Sequence, residues 1–250
     1  MKVLSLNANK GLIKHMGDIL ETDVILSQEP YPHAEDNSDN ASLLFPDYHS
    51  TATRYLLTLS KEPHEVLHLS EYLILTEHAD GTILGNVYIH PGKNGGHRAS
   101  QLERIVKYLE KDVCRIDLLA GDWNMAPAKS DGWNGDKHST YTTKLERSLF
   151  QQILDLTGLQ DLGSLIEWSA TIEKKNRGKL ISFRCDLGLA DPENWSLSYN
   201  HDIRKGSGPA DHSMLVLRRE YRWPTRAGEL RLHAGVEQRE TESSPNQLRR

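Results

Sequence analysis

The chain has few cysteines, few aromatic residues and no long apolar run. Of its 250 residues, two are cysteines and 7% are aromatic. The two thiols, Cys114 and Cys185, lie in apolar strand-like segments, which indicates reduced core cysteines rather than a disulfide framework. No stretch reaches the roughly 18 apolar residues of a membrane-spanning helix, and Met1-Lys2 leads into a short strand rather than a signal peptide. We therefore expect an intracellular protein, a nuclear one included, that neither spans a membrane nor is secreted.

An excess of basic charge is also absent. Thirty Lys and Arg residues stand against 35 Asp and Glu residues, giving a net charge of -5, so no global positive field attracts nucleic acid. The length suits one α/β domain with a large core. After residue 222 the apolar pattern gives way to Arg, Glu, Gln and Ser. We predict a folded domain over 1–222 and a poorly ordered polar tail over 223–250, and no protein partner is evident.

Helix-like and strand-like segments alternate along the domain. Apolar residues at helical spacing predict helices over 11–21, 99–111 and 144–156. Period-two patterns predict strands over 55–60, 65–69, 72–76 and 83–90, with Asp80-Gly81 as a hairpin turn. Polar loops are predicted over 34–42 and 92–96. This alternation favours an α/β fold in which two layers of mixed β-sheet are flanked by helices.

The segment 119–124, Leu-Ala-Gly-Asp-Trp-Asn, ends an apolar strand in two polar side chains. Asp122 and Asn124 are two positions apart, so in an extended segment they project to the same side. A carboxylate beside a carboxamide can activate a nucleophile and stabilise a charged phosphoryl oxygen. Taken alone, however, Gly-Asp-x-Asn is more typical of a strand-end turn held by its own side chains.

Three further polar clusters stand at the ends of predicted strands. Asn7 and Asn9 follow Val3–Leu6, Gln28-Glu29 follow Val24–Ser27, and Asp211-His212 precede Ser213–Leu217. Each has a structural explanation of its own, such as a turn cap, a surface ion pair or a buried histidine. Four such clusters at strand ends in one chain favour a common site.

The ordered set Leu-Asn-x-Asn, Gln-Glu, Asn-x-Tyr, Gly-Asp-x-Asn, Arg-x-Asp and Asp-His resembles the endonuclease/exonuclease/phosphatase family over residues 1–219. The phrase Leu-Ser-Gln-Glu-Pro-Tyr at 26–31 is further similar to the endonuclease domain of non-LTR retrotransposons. The resemblance implies a four-layer αββα sandwich, in which loops at one end of the sheets gather residues distant in sequence.

The resemblance also implies a role for each matched position. Catalytic roles are implied for His212, Asp186, Asp122, Asn124 and Tyr88. Metal binding is implied for Glu29, Asn7 and Asp211. A sparse oxygen site of this kind suits Mg²⁺ or Mn²⁺, and Asp186 would orient His212 as in a catalytic triad. Whether Asp122 or His212 takes the proton of the attacking water stays open at this point.

Substrate-binding residues are less sharply indicated. Thr171 matches a threonine that retrotransposon endonucleases carry ahead of Arg-x-Asp, and Arg98 follows Tyr88 and can bind a phosphate bidentately. Lys175 and Arg177 belong to the basic turn 174–179, which as a hairpin tip could contact DNA phosphates or be a solvated turn. Two positions depart from the family pattern: Ala210 stands where serine is usual, and His90 could enter the pocket beside Tyr88.

Three functions are compatible with this set. The first is a metal-dependent endonuclease that hydrolyses DNA, of retroelement ancestry. The second is a phosphatase or phosphodiesterase on a small phosphorylated substrate, because the same catalytic set serves both. The third is a non-catalytic binding module. The intact acid, amide and imidazole set disfavours the third, and the basic turn favours the first over the second.

Overall fold

Two six-stranded sheets pack face to face in the computed structural model, with helices on the outside. The structure describes residues 1–12, 21–31, 41, 43–91, 96–111, 115–176, 178–205 and 211–220. Residues through Glu220 form one compact unit. Predictions for 13–20, 32–40, 92–95, 114, 177, 210 and 221–250 fall outside the described residues, including most of the predicted first helix and the whole predicted tail.

The first sheet has the strand order β15-β16-β1-β2-β4-β3. Its strands are β1 (Lys2–Asn7), β2 (Val24–Gln28), β3 (His49–Ala52), β4 (Leu56–Ser60), β15 (Trp195–Asn200) and β16 (Met214–Arg219). β1 and β2 are parallel, and the other pairs are antiparallel. The sheet is therefore mixed, as expected.

The second sheet has the order β11-β14-β8-β7-β6-β5. Its strands are β5 (His64–Leu69), β6 (Leu73–His78), β7 (Ile83–Tyr88), β8 (Leu118–Asp122), β11 (Gln160–Asp161) and β14 (Asp186–Ala190). β7 and β8 form the one parallel pair among these strands. The predicted hairpin at Asp80-Gly81 joins β6 to β7 and is confirmed.

Small apolar side chains fill the space between the sheets. Val3, Leu26, Leu84, Leu118 and Leu217 are buried in this layer with their neighbours. Each buried side chain of this size contributes roughly 2 kcal/mol relative to exposure in water. These residues alternate with positions that face the outer layers, as the pleat requires.

Two helices cover the outer face of the second sheet. They are α1 (Gly96–Leu109) and α2 (Lys144–Thr157). α1 buries Leu102 and Ile105, and α2 buries Phe150, so both predictions are confirmed, although α1 begins at Gly96, inside the predicted loop. A reciprocal cap starts α2, because the Thr143 hydroxyl accepts from the Glu146 amide and the Glu146 carboxylate accepts from the Thr143 amide.

Apolar residues from the connecting segments cover the outer face of the first sheet. Leu12, Tyr31, Ala41, Phe45 and Ile203 pack there against Leu4, Leu6 and Leu57. With the helical layer on the second sheet, this gives the αββα sandwich. No helix among the described residues combines the length and apolarity that crossing a bilayer requires.

A small third sheet stands beside the sandwich. It has the order β10-β9-β13-β12, from β9 (Gly132–Asn134), β10 (Lys137–His138), β12 (Ile172–Asn176) and β13 (Lys179–Phe183). β12 and β13 form the hairpin that the basic segment 174–179 predicts.

Gly121 is needed for a close approach inside β8 rather than for a turn at its end. It pairs with Val87 of β7, and a Cβ at this position would lie 1.9 Å from the Val87 carbonyl oxygen, at a φ of 153°. A side chain would therefore separate β7 from β8 directly before Asp122.

Candidate active site

Polar side chains from both sheets meet at one end of the sandwich. In the first sheet Asn7 at the end of β1 pairs with Gln28 at the end of β2. In the second sheet Asp122 at the end of β8 lies between Tyr88 of β7 and Asp186 of β14. The polar clusters predicted from the sequence therefore come together, because the strand termini that carry them lie at the same end of the sandwich.

Asp122 is the centre of this cluster and is fully buried. Its Oδ2 accepts from Asn7 Nδ2 at 2.9 Å and from Asn124 Nδ2 at 2.8 Å, and its Oδ1 accepts from the Asn124 amide at 2.8 Å. Asn124 holds a left-handed backbone conformation with φ 47°. Two carboxamides thus fix one carboxylate in orientation, at a position of backbone strain that is typical of functional sites.

Burial raises the pKa of Asp122 to about 7. The charge of Asp186 adds to the rise, whereas His212 and the hydrogen bonds from Asn7 and Asn124 lower the pKa. The raised pKa shows that the buried carboxylate is not fully compensated by its neighbours.

His212 and Asp186 form a buried pair beside Asp122. The Nδ1 atom of His212 lies 2.9 Å and 3.1 Å from the two Asp186 carboxylate oxygens. Burial alone lowers the pKa of His212, but the charges of Asp186 and Asp122 together raise it well above its ordinary value. Nδ1 is thereby fixed by Asp186, and Nε2 is the ring nitrogen that can face a substrate.

Glu29 and Tyr88 make a second pair in this end of the sandwich. The Tyr88 hydroxyl donates to Glu29 Oε1, and burial with the neighbouring Glu29 raises the pKa of Tyr88. Glu29 also holds a left-handed conformation, with φ 46°, fixed by its amide donating to Tyr55 O and its carbonyl accepting from the Lys10 amide.

Two residues outside the predicted site join the sheets behind it. Gln28 Nε2 donates to Asn86 Oδ1 at 2.7 Å and to Ser5 Oγ at 3.2 Å. Asn86 Nδ2 in turn donates to Ser27 O and Leu57 O of the first sheet. Their motifs were recognisable as part of the family pattern, but their bridging role depends on which strands face each other across the core.

A buried thiol completes the surroundings of His212. Ligand atoms of Asp122, Cys185 and His212 lie within 4.8 Å of one another. Burial raises the pKa of Cys185 far above its ordinary range, and Asp186 and Asp122 add to the rise, so the thiol is protonated when no metal ion is bound. Glu29 and Asn7 offer oxygen donors at the same end of the sandwich.

The structure corrects two of the predicted substrate contacts. Arg98 is 1% exposed, and its guanidinium donates to Glu146 Oε1 and Oε2 and to Tyr141 O, so it faces away from any phosphate. Thr171 is fully buried, and its hydroxyl accepts from the backbone amides of Cys185 and Asp186. Both side chains are buried and hydrogen-bonded within the protein, so neither is available to contact a substrate.

Two further predicted site residues, Asp211 and Lys175, lie at the surface. Asp211 is about half exposed, with its carboxylate 3.8 Å from His212 Nε2, and Lys175 is exposed on β12. Arg177 and Ala210 lie outside the described residues. The roles of these residues stay predictions.

Arg184, by contrast, is structural. Its guanidinium binds the carboxylates of Asp131 and Asp161 at 2.7–2.9 Å, and all three side chains are buried. This network fixes the backbone directly before Asp186.

A cleft of about 360 Å³ opens next to the buried pair. His212, Cys185 and Asn124 line its base, and Tyr141, Phe183 and Lys174 line its walls. The Tyr141 and Phe183 rings lie 5.5 Å apart. A substrate in this cleft would contact His212 from the same side as the basic hairpin.

No family sequence model and no curated protein matches this chain. Several solved structures, however, share its fold. A variant of the 3′ phosphatase NExo from Neisseria, bound to a product DNA hairpin, aligns with a TM-score of 0.71 and 19% identity over 88% of this chain and 100% of that one. The endonuclease domain of TRAS1, a telomere-specific non-LTR retrotransposon, gives 0.59 and 15% over 89% and 99%. An endonuclease/exonuclease/phosphatase family protein from Leptotrichia buccalis gives 0.54 and 14% over 88% and 100%. The fold is therefore that of the endonuclease/exonuclease/phosphatase family.

Proposed function

We propose that the protein is a divalent-metal-dependent phosphodiester hydrolase that acts on DNA as an endonuclease. The observation that carries this proposal is the close approach of an amide-held carboxylate, Asp122, to a carboxylate-held imidazole, His212, with ligand atoms within 4.8 Å of each other. His212 and Asn124 in turn line the neighbouring cleft. An in-line attack by water on a phosphodiester needs both an acceptor for the water proton and a positive donor for the phosphate oxygens.

We assign these two tasks to different residues. Asp122 is held by Asn7 and Asn124, and it accepts the proton from water. His212 has its Nδ1 fixed by Asp186, which leaves Nε2–H to bind a non-bridging oxygen of the scissile phosphate. Asn124 and Asn7 lie beside Asp122 and donate amide hydrogens toward the negative charge that develops in the transition state.

The residues of the site fit a hard divalent cation. Three carboxylates, Glu29, Asp122 and Asp186, share this end of the sandwich with one imidazole, so negatively charged oxygen donors outnumber the one cationic group among them. Glu29 and Asn7 would hold Mg²⁺ or Mn²⁺, which prefer oxygen ligands, with Asp211 as a further candidate at the rim. When bound, the ion supplies positive charge to the phosphate and the leaving oxygen.

DNA is the proposed substrate because basic and aromatic groups border the cleft. Lys174 of the β12–β13 hairpin lines it directly, and Lys175 and Lys179 follow on the same hairpin. NExo, which shares the fold, was solved with a DNA hairpin. The hairpin would hold the backbone of the duplex while His212 contacts the scissile phosphate.

A second candidate is a 3′ phosphatase, the activity named for NExo. The two are separated by incubating the purified protein with Mg²⁺ and either supercoiled plasmid or an oligonucleotide that carries a 3′ phosphate. Endonuclease activity predicts nicked plasmid, with loss of nicking when EDTA removes the metal. Release of inorganic phosphate from the oligonucleotide with intact plasmid would establish the phosphatase instead, and inactivity on both would overturn the proposed hydrolase.

A further inference from the structure

A second cavity adjoins the proposed active site on the side of Glu29. It has a volume of about 790 Å³ and is lined by Tyr55, Tyr72, Tyr88, His90, His97 and Arg104, together with four further polar residues. The smaller cleft described above lies on the other side and is lined by His212. The two cavities thus flank the cluster of catalytic residues.

Tyr88 connects the large cavity to the active site. Its hydroxyl donates to Glu29, while its ring lies 5.6 Å from the Tyr55 ring and 6.1 Å from the His90 ring. The Tyr55 and His90 rings lie 5.5 Å apart. These three rings form one aromatic wall that begins at the predicted metal-binding carboxylate.

Helix α1 forms the opposite wall of the cavity and is hydrogen-bonded to the aromatic wall. Gln101 Oε1 accepts from the His90 amide at 2.9 Å, so the segment after β7 is tied to the helix. Arg104, one turn further along α1, is exposed and lines the cavity. A guanidinium facing an aromatic wall next to a phosphodiester-cleaving site is the chemistry that binds one nucleotide: a phosphate on one side and a base on the other.

We propose that this cavity binds the nucleotide that adjoins the scissile phosphate on the Glu29 side of a nucleic-acid strand. The base stacks against the accessible rings of this wall, Tyr55 and His90, and Arg104 binds a phosphate of the same strand. The inference rests on the proposed phosphodiesterase function and deepens it, because it makes the substrate an extended strand that crosses from one cavity to the other.

The experiment compares two substrates in three variants. The substrates are a single-stranded DNA oligonucleotide, whose bases are free to stack, and bis-p-nitrophenyl phosphate, which has no base or second phosphate. The variants are His90→Ala and Arg104→Ala, both at exposed side chains, and the matched control Lys107→Ala. Lys107 is an exposed cation of the same helix that does not line the cavity. Circular dichroism verifies that each variant is folded.

His90→Ala is expected to raise KM for the oligonucleotide about tenfold, the effect typical of removing one stacked ring. Arg104→Ala is expected to raise KM and to reduce the slope of log KM against log salt by about one unit. Turnover of bis-p-nitrophenyl phosphate should change much less, and Lys107→Ala should behave like the parent.

The possible failures are distinguishable. If the parent hydrolyses neither substrate and does not nick supercoiled plasmid, the proposed function is wrong and the subsite with it. If the parent nicks plasmid but does not cleave the oligonucleotide, the hydrolase stands and the nucleotide subsite is overturned. If the parent hydrolyses both but the two cavity variants match Lys107→Ala on the oligonucleotide, the hydrolase stands and the nucleotide subsite is overturned. Equal losses on both substrates would also overturn it, because they would show a general effect on the active site.

Discussion

At the scale of single residues, Glu29 combines backbone strain with a close contact to Tyr88. Its left-handed conformation costs on the order of 1 kcal/mol for a residue with a side chain, and hydrogen bonds to Tyr55 and Lys10 maintain it. The result is a carboxylate that points to the Tyr88 hydroxyl at the strand edge. Such strain is tolerated where the position of a side chain matters.

Replacing Glu29 with Ala should therefore weaken binding of the metal ion before anything else. We expect the Mg²⁺ concentration for half-maximal nicking to rise about tenfold or more, because a ligand is removed, and turnover to fall. The measurement is a Mg²⁺ titration of plasmid nicking, with Glu65→Ala, an exposed carboxylate on β5, as the control. Parent-like nicking by Glu29→Ala at limiting Mg²⁺ would show that Glu29 does not hold the ion.

His212 and Asp186 should behave as one catalytic unit. Each single substitution to Ala is expected to lower turnover by about a hundredfold or more, and the double variant should lose little beyond His212→Ala, because residues that act together are non-additive. The measurement is a double-mutant cycle, in which turnover rates are compared for the parent, the two single variants and the double variant. Losses that add in log rate would contradict the assignment of Asp186 as the residue that orients His212.

At the scale of elements, strand ends were predictable and side-chain directions were not. Apolar runs that stop at polar groups identified β1, β2, β8 and β16, because a buried strand leaves an unmistakable pattern. Arg98 was misassigned because the sequence does not show that α1 turns this residue toward Glu146 of α2. Thr171 was misassigned for the same reason, since its contacts with Cys185 and Asp186 depend on strand positions 14 and 15 residues apart.

The β12–β13 hairpin is the element on which the preference for DNA depends. Substituting Lys174, Lys175 and Lys179 with Ala should weaken binding to duplex DNA and reduce the salt slope by about one unit for each phosphate that the hairpin no longer binds. Hydrolysis of bis-p-nitrophenyl phosphate should change much less. Binding isotherms over a series of salt concentrations measure the slope.

A matched control variant removes the same number of positive charges from positions outside the hairpin. Lys61, Lys107 and Lys111 are exposed lysines outside the hairpin, and their triple Ala variant removes the same three charges. If both triple variants lose the same affinity and slope, the effect is one of net charge, and the hairpin has no specific role in binding DNA.

At the scale of the whole molecule, the site exists because two separate sheets present it together. Asn7 ends β1 of the first sheet and Glu29 directly follows β2, while Asp122 and Asp186 belong to the second sheet, so any change in how the sheets meet alters the site. The two-sheet architecture followed from the alternation of strands and helices. The hydrogen bond between Gln28 and Asn86 across the core could not be predicted from the sequence, because it depends on how strands of the two sheets align in space.

His64 makes a second contact between the sheets, at their β3 and β5 edges. Its Nε2 lies 2.8 Å from Thr51 Oγ1 and its Nδ1 2.6 Å from Ser60 Oγ, both in the first sheet. The Ser60 hydroxyl already donates to Glu62 O, so Nδ1–H donates to Ser60. In the neutral ring Nε2 then accepts from the Thr51 hydroxyl.

The edge contact predicts a loss of stability in mild acid. Burial, with His78 and His49 nearby, lowers the pKa of His64 to about 4 from an ordinary value of 6.5. Between these values the unfolded chain binds the proton more tightly than the folded one. The contribution of His64 to the free energy of unfolding is therefore complete above pH 6.5 and declines as the pH falls toward 4.

For a half-buried ring, the expected decline is on the order of 1 kcal/mol, after discounting for exposure to solvent. Urea unfolding of the parent and of His64→Gln at several pH values between 7 and 4 measures it. Carboxylates titrate in both proteins, so the difference between the two curves isolates the histidine: the free energy of the parent should fall more steeply than that of the variant. Parallel curves would mean that His64 is not held neutral in the fold, and that the two sheet edges are joined independently of its protonation.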